Sequence, residues 1–256
     1  MSDYKQKYRK YKSKYLASKR LEQHVIEGAI PDDDSNVKIG KEPSKYKGGD
    51  FNDFLKLLKA KKTKTVVVAD GITYPNNAGT IVRNGSILGS DMTVFCKLDK
   101  ERFDKMPEQS AKSVSEYEGD IIYNHDFRKN TIRFSMMKKH NEKFNVFFNF
   151  EIKDVMDAAL ENDYKIFMLE NYEKADIYNI DMSQDKVMFI VGNEREGVSE
   201  IVQKYRKDGK ISPVFIPSCL KGASSFNVAN AATIAVYERN RQNRCEMDLS
   251  GGNILF

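Results

Sequence analysis

Short apolar runs alternate along the chain with segments that have helical periodicity. The runs are rich in β-branched and aromatic side chains, which favours buried strands. They predict strands at 65–69, 92–96, 144–150, 165–169, 187–191 and 214–217. Apolar spacing in the intervening segments predicts helices at 51–58, 78–88, 152–160 and 228–237, and most of the stretch 100–143 carries no clear pattern. This alternation predicts an α/β fold with a parallel sheet flanked by helices.

Two of the predicted strands end in polar loops of Gly, Ser and Asn. Val187–Val191 leads into Gly192–Ser199, and Val214–Pro217 leads into the loop Lys221–Asn227, which enters an Ala-rich helix. Because parallel strands end at the same edge of a sheet, these loops predict a small-molecule crevice there.

Bulk composition excludes several classes of protein. No apolar run approaches the roughly 20 residues of a membrane helix, and the basic N-terminus lacks the apolar core of a signal peptide. The three cysteines (Cys96, Cys219, Cys245) and three histidines (His24, His125, His140) are scattered, so neither a disulfide framework, a metal site nor a histidine-based triad is indicated. A reducing compartment is the default expectation, the cytoplasm first and the nucleus as an alternative.

The positive charge of the chain is concentrated at its N-terminus. The first 20 residues hold eight Lys or Arg against one Asp, a net charge of +7, whereas the whole 256-residue chain is +5, which leaves the remainder at about −2. Tyrosines at positions 4, 8, 11 and 15 share one helical face. One interpretation is a solvated, partly disordered helix, or a tyrosine stripe docked on the body. The other is an electrostatic tether for nucleic acid with aromatic rings available for stacking, and its candidate contacts are Lys5, Lys7, Arg9, Lys10, Lys12 and Lys14.

Breaks in the pattern divide the chain into three parts. Pro31–Asn36 and Lys45–Asp50 are rich in turn-forming residues, and the segment after Arg244 has Gly251–Gly252. We therefore expect a basic arm and linker at 1–50, one domain at 51–245 and a peripheral tail at 246–256.

Common nucleotide and hydrolase motifs are missing from the sequence. It has neither the G-x-G-x-x-G that opens a dinucleotide-binding helix, nor a P-loop, nor the G-x-S-x-G of a nucleophile elbow.

Three separated stretches together resemble the SPOUT class of methyltransferases, specifically the SpoU/TrmH-type RNA ribose 2′-O-methyltransferases. Pro75–Arg83 matches P-x-N-x-G-x-x-x-R, Phe189–Val198 matches a strand followed by G-x-E-x-x-G, and Ile216-Pro217 with Ser225–Val228 matches I-P…S-L-N-V. Each motif alone is weak, but all three occur in order at strand–loop–helix junctions. The resemblance covers roughly Thr65 to Arg239.

The resemblance implies a parallel sheet whose C-terminal part forms a deep trefoil knot, a homodimer, and a bent S-adenosylmethionine in the knot loops. It places the cofactor at Leu169, Gly192, Ile216 and Phe226, although ordinary strand-end packing would also explain these residues. The sequence departs from the family in two places. The loop from Pro217 to Asn227 is one residue longer, and Asn84-Gly85 replaces the common Thr-Ala.

Arg83 is the leading catalytic candidate, because in the family the matching arginine sits at the target ribose and is given the role of activating its 2′-hydroxyl. Since guanidinium stays protonated, we interpret it as a clamp on the target phosphate that stabilises developing oxyanion charge, with phosphate or water assisting proton removal. A surface salt bridge is the alternative.

Short polar side chains complete the predicted catalytic set. Asn77, Ser225 and Asn227 are expected to orient Arg83 and the ribose, although Asn77 would also suit a helix cap. Glu194 would hold an arginine or cap the helix after its own loop, whereas Arg195 and Glu196 are expected to be solvated charges.

The sequence therefore predicts an S-adenosylmethionine-dependent 2′-O-methyltransferase acting on tRNA or rRNA. Its first rival is an inactive knotted RNA-binding protein. Its second is a knotted methyltransferase that modifies a base, which would be expected to lack the Pro75–Arg83 motif.

Overall fold

The structure, a computed structural model, describes residues 50–106, 112–136, 145–170, 175–219 and 225–243. The predicted basic arm with its six candidate RNA contacts, the linker, most of the loop before Ser225 and the C-terminal tail lie outside these residues.

A six-stranded sheet forms the centre of the described chain. Its strands are β1 (Thr65–Asp70), β2 (Met92–Cys96), β5 (Asn145–Phe150), β6 (Lys165–Leu169), β7 (Val187–Val191) and β8 (Ser212–Val214). They lie in the order β5-β2-β1-β7-β6-β8, and every pairing is parallel. The predicted parallel α/β sheet is therefore confirmed. A separate antiparallel hairpin consists of β3 (Val114–Tyr117) and β4 (Asp120–Tyr123).

Helices cover both faces of the sheet. They are α1 (Phe51–Lys59), α2 (Pro75–Ile87), α3 (Lys100–Asp104), α4 (His125–Ser135), α5 (Ile152–Glu161), α6 (Glu200–Lys207) and α7 (Val228–Asn243). Strand residues alternate between two cores, as the period of a strand requires. Val67 and Phe189 pack with α2, α4 and α7, whereas Val66 and Met188 pack with α1, α5 and α6.

Three element boundaries differ from the sequence prediction by three residues or more. Helix α2 begins at Pro75 instead of Ala78, because proline at the first helical position needs no N–H partner. Strand β8 ends at Val214 instead of Pro217, since the N–H and C=O of Phe215 pair with Ala175 and Ile177 and no longer with β6. Helix α7 continues to Asn243, beyond the predicted Tyr237.

None of the helices in the described parts of the chain is long and apolar enough to cross a membrane.

Candidate active site

A crevice of about 570 Å³ opens where β6, β7 and β8 end. Its walls are the loops after these strands and the first turns of α2 and α7. Eight of the nine predicted catalytic and cofactor residues line it, and they are Asn77, Leu169, Gly192, Glu194, Ile216, Ser225, Phe226 and Asn227. The loops that the sequence singled out are thus brought together as expected for parallel strands.

The loop after β7 is folded tightly on itself. Asn193 and Gly197 exchange backbone hydrogen bonds of 2.7 and 3.1 Å, which brings the Gly192 backbone against Gly197. A Cβ atom at Gly192 would lie 2.2 Å from the carbonyl carbon of Gly197 and 2.3 Å from the nitrogen of Val198. Because both contacts are backbone, only glycine fits this position.

Glu194 caps helix α2 from a different loop. Its carboxylate accepts hydrogen bonds from the Thr73 amide (3.0 Å) and hydroxyl (3.1 Å), the Tyr74 amide (3.1 Å) and the Asn77 side chain (2.9 Å). Tyr74, the residue preceding α2, has no capping side chain of its own, and its amide, one of the helix-terminal N–H groups that lack an intrahelical acceptor, donates to Glu194 instead.

This arrangement corrects the sequence-based expectation that Glu194 caps the helix after its own loop. It binds no arginine among the described residues, and it does not cap α6, the helix after its own loop. At α6 the carboxylate of Asp70 accepts from the Ser199 amide at 2.6 Å. The carboxylate at the start of α2 belongs to Glu194 in the loop after β7, far from α2 in sequence. The spacing of residues within one loop therefore does not predict this contact.

Asn77 and Asn227 extend the Glu194 contact into a chain of polar groups. Asn77 donates to Glu194 and accepts from the Asn227 side chain at 3.0 Å. Asn227 in turn accepts from the amide of Ala229 at 3.0 Å, which caps α7. Asn77 lies inside the first turn of α2, so the helix-cap interpretation of this residue is wrong. Ser225 is exposed and lies beside this series of hydrogen-bonded side chains.

Arg83 does not line the crevice. It is exposed on α2 and forms no hydrogen bond or ion pair with any residue in the described part of the chain, so the salt-bridge alternative finds no support there. Arg83 is six positions after Asn77, which places it about 9 Å further along the helix and about 120° away around the axis. Within one chain, Asn77 and Asn227 therefore do not orient Arg83.

Helices α2 and α7 run side by side in the same direction. Asn77 meets Asn227 at their N-termini, Asn84 donates to Thr233 at 2.9 Å further along, and Asn240 donates to the carbonyl of Leu88 at the far end. The replacement of the family's common Thr-Ala by Asn84-Gly85 is thereby explained in part, because Asn84 supplies a contact to α7.

Several lining residues were missed by the sequence argument or given no role. Tyr74, Glu170, Asn193 and Arg195 all line the crevice. Glu170 accepts from the Val198 amide at 2.9 Å, and the Asn193 side chain donates to the Gly71 carbonyl at 2.7 Å. The positions of Glu170 and Asn193 just after β6 and β7 were the available indication, because side chains at strand ends face the crevice edge.

A buried ion pair supports the same loop from behind. Arg102 donates to the Asp70 carboxylate at 2.7 Å and to that of Asp99 at 2.6 Å, and it also contacts the Gly197 carbonyl at 3.4 Å. Burial disfavours the charged guanidinium, but the two carboxylates outweigh this effect and raise the pKa of Arg102. Arg102 therefore stays charged and holds β1 against the loop.

Comparison with known proteins agrees with the motifs. Residues 114–237, just under half of the chain, match the model of the SpoU rRNA Methylase family. This match confirms the resemblance to SpoU/TrmH-type methyltransferases. None of the curated proteins gives a significant match.

Solved structures share the fold at low sequence identity. The SpoU methyltransferase AviRb from Streptomyces viridochromogenes is 19% identical, with a TM-score of 0.54 over 80% of this chain and 66% of that one. An AdoMet-bound rRNA methyltransferase from Sinorhizobium meliloti is 19% identical, with a TM-score of 0.51 over 72% and 59%. A putative RNA methyltransferase from Bacillus anthracis is 19% identical, with a TM-score of 0.50 over 73% and 99%. The chain thus spans less than two thirds of the first two proteins.

Proposed function

We propose that this protein is an S-adenosylmethionine-dependent methyltransferase that modifies a ribose 2′-hydroxyl of RNA, either tRNA or rRNA. The observation that carries the proposal is the meeting of three motif loops in one crevice, where Glu194, Asn77 and Asn227 form a continuous hydrogen-bonded chain. The family match at 114–237 and the RNA methyltransferases with the same fold support it.

The crevice fits the proposed cofactor. Its volume of about 570 Å³ lies in the range of small-molecule sites. Gly192 lines the crevice on a loop so tight that the backbone of Gly197 and Val198 stands where a Cβ would lie, and Leu169, Ile216 and Phe226 add apolar walls. The bound cofactor would supply an electrophilic methyl group on a sulfonium. The S. meliloti structure with AdoMet supports this choice.

The C-terminal part of the domain is proposed to form the trefoil knot. From β8 at the edge of the sheet the chain returns to α7, which packs on the central β7 and on α2. The end of α7 is held by the connection between β6 and β7, since the Gln242 side chain accepts from the Met182 amide and donates to the Ile180 carbonyl. The segment from β8 to α7 thus returns past the connection between β6 and β7, and this course of the backbone supports a knot.

A homodimer would complete the site. The faces of α2 and α7 that flank their hydrogen-bonded seam expose Ile87 (66%) and Tyr237 (53%), and Arg83 lies on the same surface of α2. We propose that a second copy covers this surface and that Arg83 reaches the crevice of the partner. This arrangement reconciles the predicted role of Arg83 with its place outside the crevice of its own chain.

Within that composite site Arg83 would act as a positive clamp. Its guanidinium would bind the phosphate next to the target ribose and stabilise negative charge on the 2′-oxygen as the methyl group transfers. The proton would leave to phosphate or water, because guanidinium remains protonated. The basic arm at 1–50 is proposed to add RNA affinity to the domain at 51–245.

Subunit mixing tests the proposal. We expect Arg83→Ala to abolish methyl transfer and retain S-adenosylmethionine binding, and Gly192→Asp to abolish cofactor binding. Mixed dimers of the two inactive variants would regain one intact site, giving at most about a quarter of wild-type activity if subunits mix at random. Lys129→Ala, which removes an exposed charge from α4, is the control.

Three results would contradict parts of the proposal. Mixed dimers without activity would place Arg83 outside a shared site, and a fully active monomer in sedimentation would remove the dimer. A wild-type protein that binds no S-adenosylmethionine would favour the inactive RNA-binding protein.

A further inference from the structure

Two side chains at the mouth of the crevice have no role in the site described so far. Tyr74 is 37% exposed and Arg195 is exposed, and both line the crevice. Neither the Tyr74 hydroxyl nor the Arg195 guanidinium forms a hydrogen bond or ion pair with the residues that the structure describes.

The backbones that carry these side chains are fixed by the hydrogen-bonded chain. The Tyr74 amide donates to Glu194 at 3.1 Å, and its carbonyl accepts from the Ala78 amide at 3.1 Å. Arg195 directly follows Glu194, and its amide donates to the Asn193 side chain at 2.9 Å. An aromatic ring and a guanidinium thus both line the crevice from fixed backbone, and their polar ends contact no partner among the described residues. A ligand that binds them would order only the side chains, which lowers the entropic cost of binding.

The charge of the cofactor argues against a role for Arg195 in holding it. S-adenosylmethionine carries a sulfonium and an ammonium against one carboxylate, so its net charge is positive and the carboxylate is its only group that would attract a guanidinium. A phosphodiester attracts the same guanidinium and can accept two of its hydrogen bonds. The exposed face of a tyrosine ring suits a nucleobase, because stacking needs only a π-face.

We propose that Tyr74 and Arg195 form a ribonucleotide subsite at the mouth of the crevice. Tyr74 stacks on a base of the RNA, and Arg195 pairs with a neighbouring phosphate. The subsite positions the RNA for the transfer reaction, so it rests on the proposed function. It assigns Arg195 a contact where the sequence indicated only a solvated charge.

Direct binding measurements test the subsite. The full-length protein is titrated with unfractionated tRNA and with rRNA at several salt concentrations, and S-adenosylmethionine affinity is measured separately by calorimetry. We expect Tyr74→Ala to weaken RNA binding by about 5- to 150-fold, the range for loss of one stacked base. The slope of log affinity against log salt should stay unchanged, and Tyr74→Phe should bind within about 2-fold of wild type because its ring still stacks.

Arg195 should give the opposite pattern. We expect Arg195→Ala to flatten the salt slope by about 0.7, the value for one phosphate contact on a single strand, and Arg195→Lys to keep the slope. Tyr178→Ala removes a 69%-exposed tyrosine away from the crevice and should change neither quantity.

Each outcome decides between the possibilities. Weaker S-adenosylmethionine binding with unchanged RNA binding in either alanine variant would assign that side chain to the cofactor and overturn the subsite. If both alanine variants bind RNA as the wild type does, the subsite is overturned and the proposed function stands. If the wild-type protein binds neither tRNA nor rRNA, the proposed function is overturned together with the subsite.

Discussion

Glu194 should be a determinant of stability as well as of the site, because its carboxylate receives four hydrogen bonds from the start of α2 and the residues before it. Two of the donors belong to Thr73, which is buried, so water does not replace their partner in Glu194→Ala. The other two, on Tyr74 and Asn77, lie beside the crevice and can bind water instead.

The expected cost follows from these contacts. A net value of about 1 kcal/mol per hydrogen bond gives about 2 kcal/mol for Thr73 alone and about 4 kcal/mol if all four are lost. We therefore expect Glu194→Ala to reduce the free energy of unfolding by about 2–4 kcal/mol. Glu194→Gln keeps one acceptor oxygen and should fall about halfway between.

Urea denaturation measures this difference. The midpoint should fall while the slope m stays constant, because the surface exposed on unfolding does not change. Glu196→Ala is the matched control: it is an exposed glutamate two residues away, and its substitution should stay within about 0.5 kcal/mol of wild type. Equal midpoints for Glu194→Ala and Glu196→Ala would refute the capping role of Glu194.

Two further predictions concern the cofactor loop and the arm. Gly192→Ala should reduce kcat/KM by on the order of 100-fold, because its Cβ would meet the backbone of Gly197 at 2.2 Å. Gly85→Ala is the control and should be tolerated, because its Cβ would meet Ser90 at 3.5 Å. Steady-state kinetics that show equal losses for the two variants would contradict this prediction. Deleting residues 1–30 should weaken RNA binding, flatten its salt dependence and raise KM at unchanged kcat, because the first 20 residues carry a net charge of +7. Parallel salt slopes for the deletion variant and the intact protein, together with a lower melting temperature of the variant, would instead indicate a docked tyrosine stripe.

Most of the sheet was predictable because β1, β2 and β7 are buried throughout, and β5 and β6 are buried apart from their first residues. Val66, Val67 and Val68 are fully buried, so the run shows no polar alternation, as expected for a strand in a covered parallel sheet. The loops of the crevice followed from the same assignment, since parallel strands end together.

The hairpin and helix between residues 112 and 136 were missed for two physical reasons. The turn of the hairpin places Glu118 at φ 50° and Gly119 at φ 86°, and a glutamate in the left-handed region is not a typical turn residue. Helix α4 buries Arg128, Thr131 and Ser135, so polar residues occupy positions where the helical pattern expects apolar ones.

Gly79 shows how a motif can have a packing role that its spacing does not reveal. A Cβ at this position would lie 2.5 Å from the Cβ of Phe134 on α4, so the glycine lets α4 pack directly against α2. The glycine of the P-x-N-x-G motif therefore sets the position of a helix that the sequence analysis did not predict.

The three motifs also explain one another once the contacts are known. From the sequence, Asn77 and Asn227 were expected to orient Arg83, and Glu194 to hold an arginine or cap a helix. In the structure each of the three hydrogen-bonds to another of them, and Glu194 and Asn227 also accept from amides at the starts of α2 and α7. Glu194 fixes the start of α2, Asn227 fixes the start of α7, and Asn77 joins the two. A side chain that serves as both cap and crevice wall cannot be replaced without moving its neighbours. The effects of substituting these three residues should therefore be non-additive, because they act as one unit.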